Sequence, residues 1–180
     1  MEKHIIAIRY GLIWSAVYVV LTMALYLFDH TMIQNFGVGI VLFLIGIVFM
    51  YFSGMDTRKE FGGFMTWKEA LIPCWVSSIV YSLISVLFMA ILYNFIDPDL
   101  AEQQKEAQIK WIENFRASMG DIEAEKAIDR IQEQNPFGFG NLLIILASSL
   151  LIYFIISSLI ALVLKKEDPN KIFNTYQEKI

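Results

Sequence analysis

Two histidines, one cysteine and a cluster of acids are the residues of this 180-residue chain best suited to chemistry, and their spacing keeps them apart. His4 and His30 flank an uncharged run. If that run is helical, 26 residues at roughly 1.5 Å each put the two rings about 39 Å apart, too far to share a metal within one chain. Cys74 follows Pro73 with no histidine near it, so neither a Cys-His pair nor a Ser-His-Asp relay is expected, and the thiol reads as a small packing residue. Asp97, Asp99, Glu102 and Glu106 gather after an apolar run. A divalent cation suits such acids, but so does the start of a helix, whose dipole favours negative charge, and that is the reading adopted. The glycine-containing pieces Phe36-Gly37-Val38-Gly39 and Phe61-Gly62-Gly63 lack the Lys-Ser/Thr ending of a phosphate loop. No catalytic, cofactor-binding or metal residue is assigned, and an enzyme is not expected.

The remaining polar chemistry is uncharged. Tyr18, Tyr81 and Tyr153 sit inside three different apolar runs. Their depths from one membrane face are about 10 to 17 Å at 1.5 Å per residue, which makes them one layer near the midplane. Ser78, Ser82 and Ser85 share a face of the third run beside that layer. Hydroxyls in hydrocarbon need partners, so this midplane set is expected to hydrogen-bond between helices, with a small-molecule or lipid cavity as the alternative. Gly39, Gly46 and Ser53 recur every seven residues and so share one helix face, which predicts close packing inside the chain or a homo-oligomer seam.

The elements that must carry these groups follow from composition. Hydrophobic residues make up 57% of the chain and charged residues 18%, with mean hydropathy +0.54, too much apolar length for one soluble core of this size. Four runs, 10–28, 36–52, 70–96 and 142–164, are uncharged and long enough to cross a bilayer as helices, and none alternates like a barrel strand. The expected fold is all-α, an integral membrane four-helix bundle. Between spans three and four, Trp111, Ile112, Phe115 and Met119 recur at helical spacing, as do Ala124, Ala127, Ile128 and Ile131, which predicts an amphipathic helical hairpin. Gly120 is expected to end its first helix and Asp121 to cap its second.

This divides the chain into 1–96 with three spans, 97–141 as an extracytoplasmic helical loop, 142–164 as the fourth span and a cytoplasmic tail 165–180. Basic residues orient it. The N-terminus, the 53–69 loop and the tail hold nine bases, including Lys171 and Lys179, whereas the long loop holds five bases against ten acids, so both termini are expected to be cytoplasmic. A net charge of −4 leaves no basic excess for nucleic acid. The hairpin's apolar stripe is expected to fold onto its own partner helix or the membrane surface, with an envelope protein docking on residues 99–135 as the alternative. The expected partner is therefore the lipid bilayer, and the alternative partner an envelope protein.

Several segments carry a family resemblance. They are Tyr10-Gly11-Leu12-Ile13, Gly62-Gly63-Phe64-Met65-Thr66-Trp67-Lys68-Glu69-Ala70-Leu71, Phe95-Ile96-Asp97-Pro98-Asp99 and Leu159-Ile160-Ala161-Leu162-Val163-Leu164-Lys165-Lys166. Over nearly its whole length the chain resembles domain-of-unknown-function family 4199, small four-span membrane proteins found chiefly in Bacteroidota. The resemblance implies an inner-membrane location and no functional residue. The resulting expectation is a non-enzymatic inner-membrane protein, a structural or interaction component of the envelope, with a small oligomeric transporter or channel as the alternative.

Overall fold

A computed structural model describes residues 2–166 and Asp168. Lys171, Lys179 and most of the 165–180 tail, which enter the orientation argument, lie outside the described residues. Helix α1 (Glu2–Phe28) runs into a 3-10 turn (His30–Gln34), α2 (Phe36–Glu60) and α3 (Trp67–Ile91). A π turn (Leu92–Ile96), α4 (Asp99–Met119), α5 (Asp121–Glu133) and α6 (Phe139–Leu164) follow. Four helices of 25 to 30 residues, with mean hydropathy 2.0 to 2.6, are long and apolar enough to cross a membrane, and the chain is a multi-pass membrane protein.

Local chemistry sets the breaks between them. Asp29 starts the 3-10 turn by accepting from the Thr31 N–H at 2.9 Å, and Asn35 starts α2 by accepting from the Gly37 N–H at 2.8 Å. Gly62 and Gly63, with φ of +72° and +88°, turn the chain out of α2. A capping box opens α3: the Glu69 N–H donates to the Thr66 hydroxyl while the Glu69 carboxylate accepts from the Thr66 N–H. The second helix continues eight residues past the expected 36–52 block to Glu60, because its charges have partners there. The Tyr10 hydroxyl donates to Asp56, and Arg58 donates to the Leu164 carbonyl at 3.2 Å.

Helix α3 is the hub and packs on α1, α2 and α6, whereas α1 and α6 never bring Cα atoms within 8 Å of each other. Close approach on α1 occurs at Gly11. A Cβ there would lie 2.7 Å from both the Ser77 carbonyl oxygen and Val80 Cβ, so α1 and α3 meet nearly backbone to backbone. Ser15, one turn on, is buried on the same face and returns its hydroxyl to the Gly11 carbonyl at 2.7 Å.

The α2–α3 end of the bundle is laced shut. Ser53 donates to the Pro73 carbonyl at 3.0 Å, Trp67 donates to the Ser158 carbonyl at 3.2 Å, and Met65 and Lys166 exchange backbone hydrogen bonds at 2.8 Å. A core of Trp14, Met50, Met65, Ala70, Cys74 and Leu164 fills the space between. At the opposite end a smaller cluster, Leu92, Tyr93, Leu100 and Phe137, joins the π turn to α4 and the lead into α6. Helices α4 and α5 pack on each other, and among the described elements α5 packs on nothing else. Asp121 is not the cap of α5. Gly120, with φ of +90°, holds that position, and the Asp121 carboxylate instead faces Arg116 at 3.6 Å.

Candidate functional site: a pocket above the midplane tyrosines

Between the spans, towards the α4–α5 end, lies a cavity of about 620 Å³. Its floor is Tyr18 from α1, Tyr81 from α3 and Tyr153 from α6. Its apolar wall comes from Leu25, Leu42, Phe43, Met89 and Ile145, and its rim from four side-chain amides: Gln34 and Asn35 at the end of the 3-10 turn, and Gln104 and Gln108 one turn apart on α4. No Asp, Glu, Lys, Arg or His lines it among the described residues.

The floor is built by aromatic stacking. The Tyr81 ring lies flat on Trp14, with centroids 3.8 Å apart and planes 2° from parallel. Tyr18 and Tyr153 stand edge-on to Tyr81 at 5.4 and 5.9 Å. Trp14 also meets Tyr153 edge-on at 5.4 Å, so rings bridge the diagonal that the α1 and α6 backbones leave open. Such pairs contribute roughly 0.5–1.5 kcal/mol each beyond burial.

The serines of the expected midplane layer do something else. Ser78 donates to the Trp75 carbonyl at 2.7 Å and Ser85 to the Ser82 carbonyl at 3.1 Å, each within α3, while the buried Ser82 hydroxyl has no partner. The expected interhelical serine bonds are therefore absent from these pairs. A helical serine can satisfy itself on a carbonyl of the preceding turn without waiting for a neighbouring helix. The tyrosines converge, as an aromatic floor, and the serines line the helix behind it.

The seven-residue stripe on α2 is divided. Ser53 bonds across to α3, and Gly46 makes room for the Trp14 indole, into which any Cβ would run. An added Cβ at Gly39 meets nothing within 4 Å, and this glycine lines the pocket. The stripe thus admits a ring at one position and borders empty space at another, rather than forming one backbone-to-backbone seam.

Two buried polar atoms on the pocket lining lack a hydrogen bond, Gln34 Nε2 and Thr22 Oγ1, the latter with the Tyr18 phenol beside it. Asn35 has spent its carbonyl oxygen on the α2 cap, which leaves its NH₂ group free to donate. Thr22, Gln34, Asn35, Gln104 and Gln108 carry no motif, and the only signal for them is uncharged polarity at span ends. The acids singled out from sequence lie outside the pocket lining, and Asp97 accepts from the Tyr26 hydroxyl at 3.1 Å. Cys74 is fully buried, against Gly54. The described part of the pocket offers shape, amide and hydroxyl donors and aromatic faces: equipment for holding a neutral molecule.

No curated protein and no solved structure matches the chain. A family model described as "Protein of unknown function (DUF4199)" matches residues 9–166, from the head of α1 through all four spans to the backbone pairing of Lys166 with Met65. On that match the chain belongs to the DUF4199 family.

Proposed function

We propose that the protein is a non-enzymatic binding component of the bacterial inner membrane, with both termini cytoplasmic, that receives a ligand from the outer side into the pocket above Tyr18, Tyr81 and Tyr153. The observation that carries this reading is a cavity of about 620 Å³ at the α4–α5 end, on whose lining the buried atoms Gln34 Nε2 and Thr22 Oγ1 have no hydrogen-bond partner. The basic residues of the α2–α3 end, Arg58, Lys59 and Lys68 among them, support its cytoplasmic assignment.

Helices α4 and α5 also support an envelope contact. Trp111, Phe115, Met119 and Ile122 are exposed, at 58, 47, 41 and 71%, on elements that lie outside the bundle. A docked partner would sit beside the amides that α4 contributes to the rim. A transporter is the second reading, favoured by the depth of the pocket, whose floor reaches the middle of the spans.

Reconstituted protein tests the choice. Binding of an environment-sensitive apolar fluorophore, lost on Gly39→Leu, is expected with no solute flux across sealed liposomes. Flux that Gly39→Leu abolishes would replace the binding reading with transport.

A further inference from the structure

We infer that the ligand of this pocket is an uncharged amphiphile whose head bears carbonyl oxygens, with the head at the amide rim and the apolar body towards the tyrosine floor. The inference rests on the binding reading above and assigns the ligand's chemistry.

Charge is decided by what the lining lacks. A phosphate, carboxylate or ammonium group in a cavity whose described lining has no ionisable group other than phenols would lose hydration and gain no counter-charge, a cost of several kcal/mol. A neutral head carries no such penalty. Polarity is decided by what the lining has left over. Gln34 Nε2 is a donor only, buried and unpaired, and Asn35 has only its NH₂ group to spare, so the matching ligand atom is an acceptor. In a membrane interior, where water is scarce, leaving such a donor unpaired is costly, and a ligand carbonyl removes that cost.

Size fits as well. The volume lies within the roughly 300–1,000 Å³ typical of small-molecule sites, and at about 30 Å³ per water-sized group it holds about 20 non-hydrogen atoms. A second, apolar groove of about 610 Å³ runs between α1 and α2, lined by Leu21, Met32, Val41 and Ile45, and shares Leu25, Asn35, Val38 and Leu42 with the pocket as a common wall. Two membrane molecules have this chemistry, a prenylated quinone and a diacylglycerol. Both combine carbonyl acceptors with an apolar tail, and they differ in whether the head is a flat ring that can lie against tyrosine.

The test is equilibrium binding to the full chain in nanodiscs, with three probes of similar tail length: a short-tailed prenyl naphthoquinone, dioctanoylglycerol and dioctanoyl phosphatidic acid. Saturable binding of at least one neutral probe is expected, without competition from the phosphatidic acid. Gln34→Leu should weaken it about three- to tenfold, the worth of one hydrogen bond. Gly39→Leu should abolish it by filling the space without lowering the thermal midpoint, since nothing lies within 4 Å of a Cβ placed there. Which neutral probe binds identifies the source. Phosphatidic acid binding that Gly39→Leu removes would overturn the neutral-ligand inference and leave the pocket a binding site. Unchanged affinity in Gln34→Leu would overturn the placement of the head. Failure of all three probes to bind in a Gly39-dependent manner would overturn both the inference and the binding reading beneath it.

Discussion

Replacing Gly39 and Gly46 separately by alanine tests the packing of α2 with a built-in control. Both glycines lie within one helix, and neither has a positive φ. The gain in intrinsic helix propensity on Gly→Ala, about 1 kcal/mol on scales measured in water, is therefore common to the two and cancels in their difference. What remains is steric. At Gly46 the new methyl enters the Trp14 ring, which is 99% buried and held flat against Tyr81, so it cannot swing aside. At Gly39 the methyl meets nothing. Overpacking a tight site costs about 1–3 kcal/mol, so Gly46→Ala should be less stable than Gly39→Ala by that amount. In absolute terms Gly39→Ala should be neutral or up to about 1 kcal/mol more stable, and Gly46→Ala up to about 3 kcal/mol less stable. Reversible unfolding in bicelles measures both. A Trp14→Leu background should shrink the difference, because the ring that causes it is gone. Equal effects at the two positions would refute the assignment of Trp14 to the Gly46 notch. Greater damage at Gly39 would mean that a second chain packs there, and would restore the homo-oligomer seam.

Other consequences follow from single groups. Tyr81→Phe keeps the stacked ring and removes one buried hydroxyl, so it should cost no more than an intramembrane hydrogen bond, about 0.6 kcal/mol and at most about 1.7, in the same unfolding assay; a larger loss would mean that Tyr81 holds the bundle through its hydroxyl rather than its ring. The Thr31 hydroxyl at 2.7 Å, and then the Thr31 N–H, hold the Asp29 carboxyl below the usual carboxylate range. The contribution of that cap is thus complete above the ordinary aspartate pKa of about 3.9 and is lost only as pH falls through the depressed value. Carbon-13 titration should place the Asp29 midpoint below that reference, with Thr31→Ala moving it back up; an unshifted midpoint would refute the cap. For orientation, a Cys74→Ala background carrying Lys59→Cys or Glu125→Cys should react with an impermeant thiol reagent in intact cells only at position 125. Labelling at 59 instead would invert the topology.

Some of this molecule is legible along the chain and some is not, for physical reasons that particular residues make plain. Four spans are legible because the bilayer imposes a one-dimensional requirement, some twenty uncharged residues in a row. Their ends are less so. A charge marks where the apolar run stops, but the helix stops where its last polar groups run out of partners. Asp56 and Arg58 find theirs on Tyr10 and the Leu164 carbonyl, and α2 carries on. The Gly39-Gly46-Ser53 stripe shows the same limit. Its spacing fixes a shared helix face, but only the neighbouring helix decides that Gly46 receives an indole and Gly39 nothing. Gly11 and Ser15, four residues apart on α1, had the small-residue spacing of a packing site, and at Gly11 the α1 backbone meets the backbone of α3.

The pocket is the least legible part, because it is assembled from residues that carry no signal alone. Thr22, Gln34 and Gln104 belong to three elements, none is charged, and no spacing relates them. What singles them out is a comparison that only the folded chain permits. At the α2–α3 end, Tyr10, Ser53, Arg58 and Trp67 each reach another helix or its carbonyl. Gln34 Nε2 and Thr22 Oγ1 reach no well-formed partner, nor do Trp75 Nε1 and Ser157 Oγ in the α2–α3 half, but of these four it is the first two that border the pocket. A bilayer penalises an unpaired donor more than water does. Around the pocket that penalty falls on atoms that border empty space of about 620 Å³, and this coincidence of unmatched polarity with room is what the binding reading rests on.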